Sequence, residues 1–271
     1  MNVDALRSQL LGELKAVSIK IGRSPQRRDV PNLAAKCYKH FGSFNKAKAK
    51  AGLEIKNTRI TKFPKHAFQL DKDLAGIISY ITFDGHLYKT FRGLYYSSKN
   101  IDDLKRFDKV MTRKFGIHAH YKLFNAGSYK QTHMIYFFSK KICEFLFRNG
   151  LPKGDKAIQM FDVPAWIVKS KEFSREYLKI AYLCEGSIEE EKGRGPRISF
   201  TQAKNIDILD SGLKFMKTIK EMLKRFGIES GETYISAPRI RKKDNKVMKD
   251  LRFRVKVKDN NRFISEIGWL K

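Results

Sequence analysis

Two carboxylates stand where a folded chain has little local reason to keep them. Residues 77–87 read IISYITFDGHL and residues 180–188 read IAYLCEGSI, so Asp84 and Glu185 each close an apolar run and precede a glycine. A glycine just past a helix adopts the left-handed conformation cheaply, which accounts for Gly85 and Gly186 but not for the acids before them. The C-terminal end of a helix carries partial negative charge, so an acid there costs ~0.3–1 kcal/mol. Breaking the same local rule twice without a stability gain marks a function. Two carboxylates and two negative helix ends, drawn together, form an anionic focus that divalent cations relieve. Hard oxygen donors suit Mg²⁺, which activates water and stabilises a leaving oxygen.

The elements that must position these acids are two apolar helices. One carries Leu74, Ile77, Ile78 and Ile81; the other carries Leu178, Ile180, Ala181, Tyr182 and Leu183. Each is apolar on more than one side, so each can pack in its own lobe and against its twin. Small residues at Ser79 and Ala181 let two parallel helices approach and bring Asp84 and Glu185 to one end. From residue 71 onward the chain repeats itself: SSKNIDDL (97–104) matches QAKNIDIL (202–209), and TRKFGI (112–117) matches LKRFGI (223–228). Each copy reads as helix, two strands, helix, two strands, helix. The fold class is therefore α+β, with two αββαββα lobes related by a pseudo-twofold axis. In the second lobe ETYIS and LRFRVKVK read as strands separated by the polar RIRKKDNKVMKD. Alternation along LRFRVKVKD puts Arg252, Arg254, Lys256 and Lys258 on one face, with Leu251, Phe253, Val255 and Val257 toward the core.

Charge names the class of partner. With 56 Lys and Arg against 28 Asp and Glu, the chain carries +28 at pH 7 and has a pI near 10. Clustered cations gain free energy by releasing the counterions of a polyanion, and a duplex matches the pseudo-twofold repeat. No basic amphipathic helix has a clean apolar face and no apolar run is long enough to span a bilayer, so a membrane partner is not expected. Cys37, Cys143 and Cys184 are scattered, without a CxxC pair, which fits a reducing, cytoplasmic setting. The N-terminus lacks a signal-peptide pattern.

Residues 1–54 read as a small helical domain. Leu6, Leu10, Leu14 and Ile19 fall at helical spacing, GRSPQRRDVP breaks the pattern, and two short helices follow, with Gly42 and Gly52 as stops. Residues 1–65 hold 15 Lys and Arg against 4 acids. Three short helices and a basic turn containing Arg27 and Arg28 suggest a helix-turn-helix-like DNA contact; a helical scaffold with a solvated basic face is the alternative. Residues 55–70 read as a linker, 71–165 as the first lobe and 166–271 as the second.

The segments ISYITFDGHL and IAYLCEGSI resemble the two signature helices of a single-chain LAGLIDADG homing endonuclease. VPAWIVKSKEFSREYLKIAYLCEGSI resembles that family's stretch between lobes. Residues 22–54 resemble a repeat found appended to homing endonucleases. The resemblance implies saddle-shaped antiparallel sheets lying in the DNA major groove, and a monomer with internal pseudo-dimer symmetry. It further implies that Asp84 and Glu185 bind two or more Mg²⁺ ions shared with the scissile phosphates. Gln202 matches a polar strand residue near the metal-bound water, with Ser97 as its counterpart in the first copy. Lys156, rather than Lys153, matches a supporting lysine, and Lys271 is the late candidate in the second copy. The expected activity is site-specific, metal-dependent cleavage of double-stranded DNA. The alternative is a relative that binds without cutting, an intron RNA maturase or a DNA-binding regulator. This chain departs from the family pattern at Ser79 and Ile180, where glycine is usual, and at Phe83, where a small residue is.

Other candidates are weaker. His118 and His120 alternate on an expected strand and lack a third ligand at metal spacing. His86, two positions past Asp84, is a candidate phosphate contact. Glu189, Glu190 and Glu191 read as a solvated hairpin.

Overall fold

The computed structural model describes residues 3–55, 62–124, 132–191 and 195–269. The chain forms two compact units, Met1–Thr61 and Lys62–Lys271.

The first unit is all-helical: α1 (Val3–Ile21), α2 (Pro31–Phe41) and α3 (Phe44–Lys50). Pro31 opens α2, where its missing N–H costs nothing. Gly42 ends it at φ +74°, and Ser43 caps α3 by accepting from the Lys46 amide at 3.0 Å. Leu10, Leu14, Ala34, Cys37, Phe44 and Ala47 form its core. Ile19, expected on the buried face, is 84% exposed. Five residues past Leu14 is well over a full turn of an α-helix, which carries Ile19 around to the solvent side.

The second unit holds both lobes. The first runs α4 (Lys72–Phe83), β1 (Gly85–Leu87), β2 (Leu94–Ser98), α5 (Ile101–Phe115), β3 (His120–Phe124), β4 (Thr132–Phe137) and α6 (Lys140–Arg148). After α7 (Ala165–Lys169), the second lobe runs α8 (Lys171–Glu185), β5 (Gly186–Glu191), β6 (Gly195–Asn205) and α9 (Leu209–Lys224). It continues through β7 (Tyr234–Ile235), β8 (Arg239–Arg241), β9 (Lys246–Arg254) and α10 (Asn260–Glu266). Both sheets are antiparallel, ordered β1-β2-β4-β3 and β5-β6-β9-β7, with β8 also on β9. Asp71, Asn100, Ser139 and Ser170 cap α4, α5, α6 and α8 through their side chains, as their types favour.

Two expectations for the second lobe change. The polar stretch between its last strands is itself strand: Arg239↔Met248 and Arg241↔Lys246 extend β9 into a hairpin. The row of four cations is only two long, because β9 ends at Arg254. The Lys256 amide donates to the Glu229 carbonyl at 2.9 Å, and Val257–Asp259 turn as a 3-10 helix. The turn is fixed by the buried Asp259 carboxylate, which accepts from the Glu229 amide at 2.8 Å. Val257 is consequently exposed rather than in the core.

Residues 62–70 pack on the first lobe. Ala67 is fully buried, and the buried Lys114 ammonium donates to the carbonyls of His66 and Gln69 and to the Asp71 carboxylate at 2.6 Å.

Helices α4 and α8 lie side by side and parallel. Lys72 pairs with Glu172 at 3.9 Å, Gly76 leaves room for the Glu176 side chain, and the Ser79 hydroxyl donates to the Tyr177 carbonyl at 2.8 Å. Ser79, Ile180 and Ala181 are buried. A serine hydroxyl thus does at this crossing what a bare glycine would do by size alone: it lets the helices meet. Phe83 is accommodated by crossing into the second lobe, where it packs edge-on against Phe200 at 5.8 Å and beside Tyr177 and Phe215. One continuous core runs through both lobes.

Candidate functional site

The ends of α4 and α8 set the site. Asp84 is the exposed cap residue of α4, and Glu185 is the last, half-buried residue of α8. The two glycines that follow are not left-handed. Gly186 has φ −82° and ψ 152°, and neither Gly85 nor Gly186 has positive φ. Their reason is space. A Cβ on Gly85 would sit 2.6–2.8 Å from Ile81 and the Tyr95 carbonyl, and one on Gly186 would sit 2.5 Å from the Tyr182 carbonyl. Each strand therefore leaves its helix immediately and runs back close against it, which holds each acid at a sharp corner.

Lys156 lies within the field of both acids. It sits on the segment joining the lobes, and its ammonium donates to two carbonyls at the end of α4, Ile81 at 2.8 Å and Gly85. Burial pushes the Lys156 amine down to about 8, opposed by the negative charges of Asp84 and then Glu185. Both carboxylates thus act on one ammonium. Burial, then Asp84 and Glu185, push the Cys184 thiol well above its usual value. Asp155, beside Lys156, is gripped from the second lobe by Arg241 at 3.0 Å and Lys243 at 2.8 Å. Burial opposes its charge, but these partners hold it below the usual carboxylate range.

Gln202 is buried on β6, on the helix-facing side with Ile198, Phe200 and Lys204, and its Oε1 has no hydrogen-bond partner among the described residues. Its counterpart in the first lobe is Ser98, not Ser97. Gly85 pairs with Tyr96 and Gly186 with Phe200, and two residues on from those pairs lie Ser98 and Gln202. The motif match misleads because β6 holds one more residue before its asparagine than β2 does. Ser97 faces the other way, and its amide and hydroxyl donate to the Asp84 carbonyl at 3.3 and 3.0 Å.

The additional helix-facing residue is Lys204, which sequence reasoning missed. It is fully buried, and its ammonium donates to the carbonyls of Lys156 at 2.9 Å and Gln159 at 3.4 Å over the Phe161 ring. Burial, then repulsion from Lys156, pushes it down to about 7. Gly212 makes room for its stem, since a Cβ there would lie 2.8 Å from Lys204 Cγ.

Further from the acids, Arg252 and Arg254 are exposed on the open face of the second sheet, and Arg252 Nε donates to Thr201 Oγ1 at 2.9 Å. Lys256 and Lys258 do not join them; both pair with Glu229, at 2.7 and 3.1 Å. Arg27 and Arg28 are exposed in a 3-10 turn of the first unit, where Arg23, not either of them, grips Asp29 at 2.8 Å. His86 is half-buried and stacks on Tyr95 at 5.2 Å; burial, then Lys156, hold its pKa down. His120 lies on β3 with its ring 5.6 Å from Phe138, while His118 precedes the strand. Glu189 and Glu190 are exposed on β5. Lys271 lies outside the described residues. Among the described residues, no three of His, Cys, Asp or Glu are grouped to hold a metal by themselves. Two carboxylates suit Mg²⁺, which binds through one or two carboxylates and takes its other oxygens from water and substrate phosphate. Among the described residues no helix is long and apolar enough to cross a membrane.

Residues 6–54 match a homing endonuclease associated repeat, and residues 172–268 match a LAGLIDADG-like domain. The chain is similar to a replication factor C small subunit of Methanocaldococcus jannaschii, with 28% identity over 73% of this chain and 11% of that one. It is also similar to a tRNA-splicing ligase RtcB of Pyrococcus abyssi, with 32% identity over 34% of this chain and 10% of that one. The chain spans about a tenth of the length of these relatives. Among solved structures, the homing endonuclease I-DmoI in complex with DNA and Mn superposes over 74% of this chain and 98% of its own (12% identity, TM-score 0.46). Full-length DUF199/WhiA from Thermatoga maritima superposes over 76% and 60% (12% identity, TM-score 0.46).

Proposed function

We propose that this chain, with a homing endonuclease associated repeat ahead of a LAGLIDADG-like domain, is a site-specific, divalent-metal-dependent endonuclease of double-stranded DNA. The observation that carries this reading is the meeting of Asp84 and Glu185 at the paired ends of α4 and α8, with the Lys156 ammonium under the influence of both. Two carboxylates at two helix C-termini repel each other, so helix stability does not favour acids there.

Asp84 and Glu185 would hold Mg²⁺, which supplies an activated water and stabilises the leaving oxygen of the phosphodiester. Lys156, tied to the carbonyls of Ile81 and Gly85, places a positive charge beside the acids where a phosphate would otherwise meet only negative ends. Ser97 fixes the Asp84 carbonyl, and so the corner on which that acid stands. Gln202 offers a buried amide oxygen as an acceptor. Lys204 holds the backbone of Lys156 from the second lobe, so the supporting lysine is braced by both lobes. Arg252 and Arg254 present guanidinium groups on an open sheet face, the chemistry that reads guanine edges in a major groove.

The ligase and replication activities of the relatives do not carry over. Those two proteins share no named activity, and each matches this chain over only about a tenth of its own length. What they share with it is a module, not their own chemistry.

The test is incubation with a randomised duplex library and Mg²⁺, with Ca²⁺ as control, followed by sequencing of all new ends. Paired breaks at one long site, with Mg²⁺ only, are expected. Retained duplex binding without breaks would replace the nuclease with a non-cleaving regulator, and preference for structured RNA would replace it with a maturase.

A further inference from the structure

The open faces of the two sheets differ in chemistry at the positions of the second lobe's two arginines. With Gly85↔Tyr96 and Gly186↔Phe200 as the matching rung, the next rung on the open face is His86–Tyr95–Tyr136 in the first lobe and Ser187–Ser199–Arg254 in the second. On the other side, Ser97–Met134–Lys122 matches Thr201–Arg252–Tyr234. Where the second lobe places Arg254 and Arg252, the first places Tyr136 and Met134.

The first lobe's rings form a continuous patch. His86 stacks on Tyr95 at 5.2 Å and 20°, Tyr95 meets Tyr136 at 5.6 Å, and Tyr136 stacks on Phe138 at 6.2 Å and 7°. Phe138 is 58% exposed. Aromatic rings on a free sheet face cost solubility and give the lobe itself no core. They are continuous with the acid corner, since Ser97 lies on this face and bonds Asp84. His86 on Tyr95 and Tyr136 on Phe138 are stacked pairs, joined by the tilted Tyr95–Tyr136 contact (49°), and the Tyr136 hydroxyl donates to Met134 Sδ at 3.4 Å, so the patch is a mainly apolar surface. Rings already stacked on one another suit apolar contact with groove-edge methyl groups better than stacking on unpaired bases. Burial holds the Tyr95 and Tyr136 hydroxyls above their usual value, so they meet the groove as neutral groups.

Resting on the endonuclease reading above, we propose that the two lobes read their half-sites by different chemistry. The Tyr95–Tyr136–Phe138 face packs on thymine C5-methyl groups, and the Arg252–Arg254 face takes guanine O6 and N7. The major groove separates the two cases, since only thymine shows a methyl there and only guanine shows two adjacent acceptors. The target is therefore chemically lopsided: thymine-rich under the first lobe and guanine-bearing under the second.

Base analogues test this without altering Tyr95, Tyr136, Phe138, Arg252 or Arg254. A duplex is selected from a randomised library with Ca²⁺, and a benzophenone side chain placed at Tyr234 marks by crosslinking the half under the second lobe. Uracil, which lacks only the methyl, then replaces thymine in one half at a time, and 7-deazaguanine, which lacks N7, replaces guanine likewise. Uracil should weaken binding about fourfold per contacted methyl in the first-lobe half and leave the other half unchanged. 7-Deazaguanine should weaken binding at least about fivefold per contacted guanine in the second-lobe half alone. Equal sensitivity of both halves to each analogue, or the reverse pattern, overturns the inference while leaving sequence-specific binding intact. Failure to select any duplex overturns the inference together with the function it rests on.

Discussion

The Lys204 ammonium of the second lobe donates to the backbone carbonyl of Lys156, on the segment between the lobes, at 2.9 Å. Two lysines thus share a buried site, with Lys204 near 7 and Lys156 near 8. The unfolded chain keeps the Lys204 proton until about 10.5, whereas the folded chain releases it near 7. Between those values the unfolded state binds more protons, so stability at this site rises with pH; below about 7 both states are charged and the buried ammonium costs its full amount. Lys204→Met should therefore be more stable than the parent at pH 6, by ~1–3 kcal/mol, with the margin shrinking toward pH 9. Denaturant unfolding at the two pH values measures it, and a margin independent of pH would show that Lys204 is not buried as a perturbed amine.

Gly186 tests the corner behind Glu185. Its φ of −82° suits any residue, so only space forbids a side chain. Gly186→Ala should cost ~1–3 kcal/mol by driving a methyl into the Tyr182 carbonyl. It should also reduce cleavage, because the strand must swing away and carry the acid with it. Thermal melts and single-turnover cleavage on one preparation decide it; a variant that folds and cuts like the parent would refute the steric corner.

How much of this was legible in the sequence follows from the range of each signal. The two helices, their parallel meeting and the acid at each end are local patterns repeated twice, and repetition made them readable. The glycines were readable as necessary but not for their true reason, because a close approach between strand and helix leaves no mark distinguishable from a left-handed cap. Lys256 and Lys258 were placed on a strand because alternation continues past the residue where a distant carboxylate, Asp259, bends the chain. Lys204 and the equivalence of Gln202 with Ser98 were hidden by matching motifs. QAKNID and SSKNID align by letters, and only strand register shows that one copy holds an extra residue. The aromatic face of the first sheet was not legible, because Tyr95 lies on β2 whereas Tyr136 and Phe138 lie on and just after β4, about 40 residues later.

Asp84 and Glu185 carry a signature that separates function from structure. Each stands at a helix C-terminus, where a negative charge is unfavourable. Replacing them together, Asp84→Asn with Glu185→Gln, should raise stability by ~0.3–1 kcal/mol per site. Cleavage should fall at least ~10²-fold, on the scale of removing one electrostatic stabiliser. Duplex binding in Ca²⁺-free buffer should be retained. If cutting persists, the metal site lies elsewhere; if the variant loses stability, the acids are structural.

Arg252 and Arg254 give a prediction that binding alone settles. Both are exposed, and Arg252 is oriented by Thr201 rather than by a carboxylate, so no ion pair among the described residues neutralises its charge. Lys256 and Lys258 share Glu229, and their contribution to a polyanion is partly cancelled. Arg252→Ser with Arg254→Ser should therefore weaken duplex binding and discriminate less against sites lacking guanine. Lys256→Ser with Lys258→Ser should change specificity little. If the arginines reach bases and not phosphates, the slope of log K against log salt should stay within about one unit of the parent's while specificity collapses. If they reach phosphates, the slope should drop by roughly two with specificity unchanged. Titrations of each double variant against selected and scrambled duplexes at several salt concentrations separate these outcomes, and equal behaviour of the two variants would remove the second sheet's open face from the DNA contact.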